Sequence, residues 1–248
     1  KSQYQTLSQG PINSFYTHLA NCRLKGGNTC FSSLASELNY QAPDLSLFAK
    51  EPLLRAVAEH PNPKILATVL PWIELNAEQQ AMLQAYALLK RGNYFQSIRT
   101  LWRIPSRDPE MLRVMYTLHY QAPMKKFASQ YQVPLSLVTG LAWQESMYKA
   151  DIRSSAGATG LMQLMPYTAK EVAAKVGLKH FQQSHLTRPE TNIQLGTFYL
   201  REQLNRWQRA LIPTIASYNA GPGAVGRWRQ QFGPISNDLE QELFIERI

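Results

Sequence analysis

One glutamate lies where an apolar side chain is expected. Val138, Leu141 and Ala142 recur at helical spacing and define the buried face of a predicted helix. Glu145 follows Val138 after about 700° of helical rotation, so the two side chains point within ~20° of each other. Because burial disfavours a charged carboxylate, we expect Glu145 to have a raised pKa, as a general acid requires. An ion pair between Glu145 and Arg153 is the structural alternative.

Glycines and polar side chains follow this glutamate. Gly157 and Gly160 let the backbone approach Glu145, and Gln163 offers both hydrogen-bond donors and an acceptor. Further along, Tyr218 stands beside a glycine-rich helix break. Each feature alone also fits core packing or a helix stop, but together they predict a polar groove beside the glutamate.

These segments resemble the soluble lytic transglycosylases, a family whose catalytic domain is a lysozyme-like α-helical fold. The resemblance covers roughly residues 131–248 and includes Ser154. Five ordered motifs carry it: QES at 144–146, GATGLMQLMP at 157–166, PETNI at 189–193, YNAGPG at 218–223 and FIERI at 244–248.

The resemblance implies a role for each matching residue. Glu145 would be the catalytic acid/base, and Glu246 a second acidic residue associated with substrate binding. The side chains that would line the saccharide groove or position the reacting sugar are Ser154, Gln163, Met165, Tyr218 and Asn219. The implied reaction cleaves the β-1,4 bond between N-acetylmuramic acid and N-acetylglucosamine in peptidoglycan and leaves 1,6-anhydro-N-acetylmuramic acid ends. It needs no metal and no organic cofactor.

Two alternative functions remain open on the sequence. A goose-type lysozyme shares the glutamate and a related helical core, but lets water attack the bond. Asp151, in the loop after Glu145, is a candidate to hold that water. A non-catalytic module would instead use a basic surface to bind cell wall or nucleic acid, and a solvent-facing glutamate would favour it.

The chain departs from the family pattern in two places and stops inside a third. Ser217 stands where the family usually has alanine, a change small enough to leave Tyr218 in place. Arg188 replaces a usual aspartate and so removes a good helix cap, at a cost of about 1 kcal/mol. Ile248 falls inside the last motif, so we expect the helices that close the groove in other members to be absent.

Helical patterns position these residues. The helical spacing of apolar residues in 78–91 and in the segment that follows predicts a helical hairpin, the unit of α-superhelices. In the second half, we predict helices that end near Met147, start at Thr168 in a capping box with Glu171, and open at Pro189 and Pro213. The predicted fold is therefore all-α. Superhelical hairpins occupy 1–122, and a lysozyme-like catalytic domain, truncated at its C-terminus, occupies 123–248.

Charge and hydropathy limit the partners. The net charge of +9 is dispersed, and no basic run exceeds two residues, which argues against specific nucleic-acid binding. No apolar run approaches the ~20 residues of a membrane helix. The first ten residues lack the apolar core of a signal peptide, so we expect any export signal to have been removed. We predict a monomer that acts on peptidoglycan strands, with proteins of the cell-wall machinery as candidate partners.

The two cysteines bear on the compartment. Cys22 and Cys30 lie close together in a turn-rich stretch, and we predict a disulfide between them in an oxidising compartment, the periplasm. Two unrelated thiols are the alternative. The five histidines are scattered without ligand spacing to either cysteine, so we expect no zinc site.

Overall fold

The computed structural model describes residues 68–105 and 109–233, together with the isolated positions 56, 60, 62 and 65. Over these residues the chain forms α-helices and short 3₁₀-helices, and its β-structure is confined to two isolated bridges. The all-α prediction is confirmed. None of the helices within this part of the chain has the length and apolar character needed to span a membrane.

Two helices near the start of the continuously described part of the chain form the predicted hairpin. Helix α1 (Ala77–Lys90) and helix α2 (Tyr94–Trp102) pack on each other across a turn at Gly92, whose φ is +73°. A capping box starts α1: Asn76 accepts a hydrogen bond from the Gln79 amide at 2.9 Å, and the Gln79 side chain accepts one from the Asn76 amide at 3.0 Å. Helix α3 (Pro109–Met115) completes a separate apolar cluster with this hairpin.

Six further helices follow: five contribute to a larger core with one long helix at its centre, and the last packs in a small cluster around Val225. They are α4 (Gln121–Tyr131), α5 (Leu135–Ser146), α6 (Pro166–Lys175), α7 (Pro189–Arg206), α8 (Leu211–Ala220) and α9 (Pro222–Phe232). Helix α7 packs against α4, α6 and α8. Its Ile193 and Leu200 are fully buried among the side chains of Val138 on α5 and Met162 in the loop before α6.

Prolines set several boundaries, and two predicted helix starts lie two residues too late. Helix α6 begins at Pro166, whose fixed φ suits a first helical position, so Thr168 lies inside the helix and is buried. The predicted capping box with Glu171 therefore does not form. Helix α8 begins at Leu211, before Pro213, and breaks at Gly221 (φ +83°) as predicted.

The expected loss of a cap on α7 is confirmed. Arg188 occupies the N-cap position and its side chain makes no capping hydrogen bond. Pro189 at the first helical position and Glu190 in the first turn still favour a helix start, because one fixes φ and the other complements the helix dipole.

Candidate active site

Glu145 lies in the wall of a cavity of about 390 Å³. The cavity lies between the last turn of α5, the loop between α5 and α6, the start of α6, Tyr199 of α7 and the end of α8. Its lining residues are Glu145, Ser154, Ala156, Ala158, Gln163, Leu164, Met165, Tyr167, Thr168, Tyr199, Tyr218, Asn219, Ala220 and Gly221. The structure thus brings together six residues that the motifs single out: Glu145, Ser154, Gln163, Met165, Tyr218 and Asn219. The other three, Cys22, Cys30 and Glu246, lie outside the described residues.

Glu145 is half-buried at the penultimate position of α5. Burial raises the pKa of its carboxyl above the usual value, in the predicted direction. No described residue forms an ion pair with Glu145, and Arg153, the partner of the structural alternative, is exposed. The carboxyl group therefore faces the cavity with its acid form stabilised relative to a carboxyl group in water, the direction that a general acid requires.

Tyr218 lies close to Glu145, and its hydroxyl is fixed. It donates a hydrogen bond to the Met162 carbonyl oxygen at 2.9 Å from a buried position on α8. Burial, with smaller contributions from Glu145 and Tyr199, raises the pKa of Tyr218 well above its usual range. The phenol therefore stays neutral. With its proton directed to Met162, the hydroxyl oxygen can still accept a hydrogen bond.

Gln163 has its side-chain nitrogen held by the backbone. The residue adopts a left-handed conformation, with φ 44°, and its Nε2 donates to the carbonyl oxygens of Gly160 at 2.9 Å and Ile152 at 3.3 Å. The side-chain oxygen of Gln163, Oε1, makes no hydrogen bond to any residue that the structure describes. Gln163 therefore offers the cavity an oriented acceptor.

Ser154 is oriented in a similar way. Its Oγ accepts a hydrogen bond from the Ala158 amide at 3.0 Å, and its own amide donates to the Ala158 carbonyl at 2.9 Å. The hydroxyl proton of Ser154 is then available to a ligand in the cavity. Two further motif residues line the cavity. Met165 precedes α6, and Asn219 is exposed near the end of α8.

A buried asparagine that the sequence left without a role organises the loop beside Glu145. The Oδ1 of Asn192 accepts from the Met162 amide at 2.7 Å, and its Nδ2 donates to the carbonyls of Thr159 at 3.0 Å and Leu186 at 2.9 Å. Gly160 has φ +86°, and a Cβ there would come within 2.2 Å of both Asn192 Nδ2 and the Leu186 carbonyl oxygen. Only glycine fits this approach.

Two serines help to hold the cavity wall in place, a role that their residue type alone did not indicate. Ser146 donates a hydrogen bond from the end of α5 to the Leu161 carbonyl at 2.8 Å, which ties the helix of the glutamate to the loop. Ser217 is fully buried, and its Oγ accepts a hydrogen bond from Trp207 Nε1 at 2.6 Å. Ser217 immediately precedes Tyr218, so this bond fixes the segment that carries the tyrosine.

Asp151, the water-holding candidate of the lysozyme alternative, lies elsewhere. Its side chain is exposed and does not line the cavity. It is close to Tyr120 instead, and contributes with burial and Tyr94 to raising the pKa of the Tyr120 hydroxyl. Glu145 is the only carboxylate among the described residues that line the cavity.

Comparison with solved structures identifies the fold. The 70 kDa soluble lytic transglycosylase of Escherichia coli aligns with a TM-score of 0.67 at 23% identity, over 92% of this chain and 36% of that one. Lytic transglycosylase Slt of Pseudomonas aeruginosa, solved as an inactive glutamate-to-glutamine mutant, aligns with a TM-score of 0.70 at 25% identity, over 99% of this chain and 39% of that one. The fold is the all-α, lysozyme-like fold of these transglycosylases.

Sequence comparison points to the same group of proteins. Residues 122–239 match the family model described as the transglycosylase SLT domain. The soluble lytic murein transglycosylase of Escherichia coli is 31% identical over 171 residues, which are 68% of this chain and 26% of the relative. The chain thus spans about a quarter of the length of that relative. The resemblance inferred from the motifs is confirmed.

Proposed function

We propose that the protein is a peptidoglycan lytic transglycosylase. It would cleave the β-1,4 bond between N-acetylmuramic acid and N-acetylglucosamine and leave 1,6-anhydro-N-acetylmuramic acid ends. The observation that carries the proposal is the placement of Glu145, which has a raised pKa in a cavity whose described lining holds no other carboxylate. The names of the relatives and the family model that residues 122–239 match support it.

A single carboxyl group can serve both halves of this reaction. Glu145 in its acid form donates its proton to the bridging oxygen as the bond from C1 of the muramyl residue to that oxygen breaks. The resulting carboxylate then takes the proton of the muramyl C6 hydroxyl, whose oxygen attacks C1 and closes the anhydro ring. Glu145 ends protonated, as it began, and no water is consumed.

The positive charge that develops at C1 needs stabilisation, because no second carboxylate of the described residues faces it. We assign this to the acetamido group of the muramyl residue, whose carbonyl oxygen can approach C1. The Gln163 carbonyl oxygen is placed to accept the acetamido N–H, since its own nitrogen is bound to the backbone. Tyr218 offers an oxygen lone pair beside Glu145 for the same purpose. Both groups are pre-oriented, which lowers the cost of reorganisation in the transition state.

The remaining residues bind the strand rather than take part in the chemical step. Ser154 can donate a hydrogen bond to a sugar oxygen, Met165 gives an apolar contact, and Asn219 supplies an exposed amide. Glu246 is assigned by motif to binding in the same groove. No metal or organic cofactor enters any step.

The cellular setting is part of the proposal. We infer a periplasmic monomer that binds peptidoglycan strands, contacts proteins of the cell-wall machinery and does not bind nucleic acid specifically. A Cys22–Cys30 disulfide would suit that compartment. The division into a superhelical region at 1–122 and a catalytic domain at 123–248 is part of the same proposal.

The decisive experiment compares the wild-type protein with two variants on purified peptidoglycan. Glu145→Gln should lower cleavage by roughly 10²–10⁴-fold or more, because glutamine has nearly the same shape but no acidic proton. Glu190→Gln, at an exposed glutamate, is the matched control and should keep wild-type activity. Circular dichroism verifies that each variant is folded. Substantial cleavage by folded Glu145→Gln would refute the assignment.

Mass spectrometry of the products distinguishes the transglycosylase reaction from hydrolysis by the lysozyme alternative. The anhydro product is one water lighter than the product of hydrolysis. We expect mainly anhydro ends from the wild-type protein, and no change in product with Asp151→Asn, because Asp151 lies outside the cavity. Mainly reducing ends that disappear in Asp151→Asn would establish hydrolysis instead.

A further inference from the structure

Tyr167 is an exposed aromatic residue at the mouth of the Glu145 cavity. It is the second residue of α6, directly after Pro166, and its side chain lines the cavity while remaining 67% exposed. The structure gives it no hydrogen bond and no ring contact with the described residues. An exposed side chain of this kind contributes little to stability, so the fold does not explain its placement.

Two other tyrosines connect Tyr167 to the chemistry. The rings of Tyr199 and Tyr218 lie with centroids 5.2 Å apart at 58°, and both line the same cavity. Tyr167 is close enough to Tyr199 to contribute to its raised pKa, behind the larger effect of burial. The three residues therefore form a tyrosine wall that leads from buried Tyr218, beside Glu145, through half-buried Tyr199 to exposed Tyr167.

The chemistry of this wall suits a polysaccharide. A β-linked pyranose ring carries C–H groups on its faces, and the face of an aromatic ring carries partial negative charge that attracts them. A phenol adds a polar edge that can bond to sugar hydroxyls while its ring packs against carbon. Such groups at the mouth of a cavity are typical of sites that fix the orientation of an extended ligand.

We propose that Tyr167 is a stacking platform for a sugar ring of the glycan strand, next to the pair of sugars that reacts at Glu145. The inference rests on the proposed function and adds to it a residue that binds and aligns the strand outside the reacting pair. Tyr167 would bind substrate without taking part in proton transfer. Its loss should therefore weaken strand binding and leave the chemical step intact.

The test measures kcat and KM separately on purified, solubilised glycan strands. Tyr167→Ala should raise KM by roughly two- to tenfold, the range for one aromatic contact, with kcat within twofold of wild type. Tyr167→Phe and Tyr167→Trp should have a KM much closer to the wild-type value, because they keep an aromatic face. Trp72→Ala removes an aromatic side chain that is 85% exposed but does not line the cavity, and it should behave as wild type.

The inference would be overturned by an unchanged KM in Tyr167→Ala, or by a KM in Tyr167→Phe raised as much as in Tyr167→Ala. A fall in kcat alone would also overturn it, because that would place Tyr167 in the chemical step. Failure of the wild-type protein to cleave the strands would contradict the proposed function instead. Because Tyr167 is exposed, its variants are expected to fold, and thermal unfolding verifies this.

Discussion

The hydroxyl of Tyr218 donates a hydrogen bond to the Met162 carbonyl oxygen at 2.9 Å, and this bond joins α8 to the loop before α6 beside Glu145. Asn192 accepts from the Met162 amide at 2.7 Å. Both polar groups of the Met162 backbone are therefore bonded to side chains from distant parts of the sequence. The cavity keeps its shape because α7 and α8 hold the same loop residue.

Tyr218→Phe tests this bond. Removing the hydroxyl leaves the Met162 carbonyl without that partner in a buried position, and we expect a loss of about 1–2 kcal/mol in the free energy of unfolding. Activity should also fall, because the loop that carries Gln163 loses a support. Denaturant unfolding and cleavage assays on the same samples measure both effects. Tyr199→Phe is the stability control, since no described residue bonds to that hydroxyl, and an equal loss there would contradict the explanation.

Glu145 should lower stability at neutral pH. Burial raises its folded-state pKa above the unfolded value, so its favourable contribution is complete below the unfolded pKa and disappears as the pH rises through the folded pKa. Glu145→Gln removes a half-buried charge and should raise Tm more at pH 7.5 than at pH 4. Thermal unfolding at the two pH values measures the difference. The exposed variant Glu190→Gln should show no such gain, and a lower Tm for Glu145→Gln at pH 7.5 would disprove the prediction.

His119 should make the protein sensitive to acid. Its ring stacks on Tyr94 with centroids 3.9 Å apart and meets Tyr148 edge to face at 4.9 Å. Its buried Nε2 has no hydrogen-bond partner among the described residues, and burial lowers the pKa of His119 from 6.5 to about 4. The unfolded state therefore binds the proton first, and stability present above pH 6.5 is lost as the pH falls towards 4.

The expected size of this loss is about 3 kcal/mol, from the pKa difference between the two states. Denaturant unfolding across that pH range measures it. His119→Phe should flatten the pH dependence, because phenylalanine keeps the ring contacts and cannot take a proton. His180→Gln, at an exposed histidine, should leave the dependence unchanged. A profile in His119→Phe as steep as that of the wild type would assign the acid sensitivity to other groups.

The sequence predicted best what depends on local pattern. Helices next to prolines and glycines were placed within about two residues, because Pro189 and Gly221 act through their own backbone conformation. The motifs indicated six residues of the cavity wall, and the apolar face of α5 correctly predicted that Glu145 points towards the interior. The capping box at Thr168 was wrong because Pro166 competes for the same helix start.

Other features could not be inferred from pattern. The bond from Asn192 to Met162 spans 30 residues of sequence, and an asparagine in a helix gives no sign of such a partner. Tyr167 is one tyrosine among 12 in the chain. Its exposure at the cavity mouth depends on how α6 packs. These properties arise from tertiary packing, which local propensities do not encode.

The Trp207–Ser217 bond gives a quantitative test of one departure from the family. From the motif we expect serine in place of alanine at position 217 to leave Tyr218 in place. The structure adds that the fully buried Oγ of Ser217 accepts a hydrogen bond from Trp207 Nε1 at 2.6 Å. We expect Ser217→Ala to cost about 1 kcal/mol, because half-buried Trp207 can recover only part of the bond from water. A double-mutant cycle with Trp207→Phe should give a coupling free energy of roughly 0.5–1.5 kcal/mol in denaturant unfolding. Additive losses would show that the hydrogen bond between Trp207 and Ser217 does not itself contribute to stability. A measurable coupling would mean that this chain has tied the segment before Tyr218 to α7 with a bond that alanine cannot form.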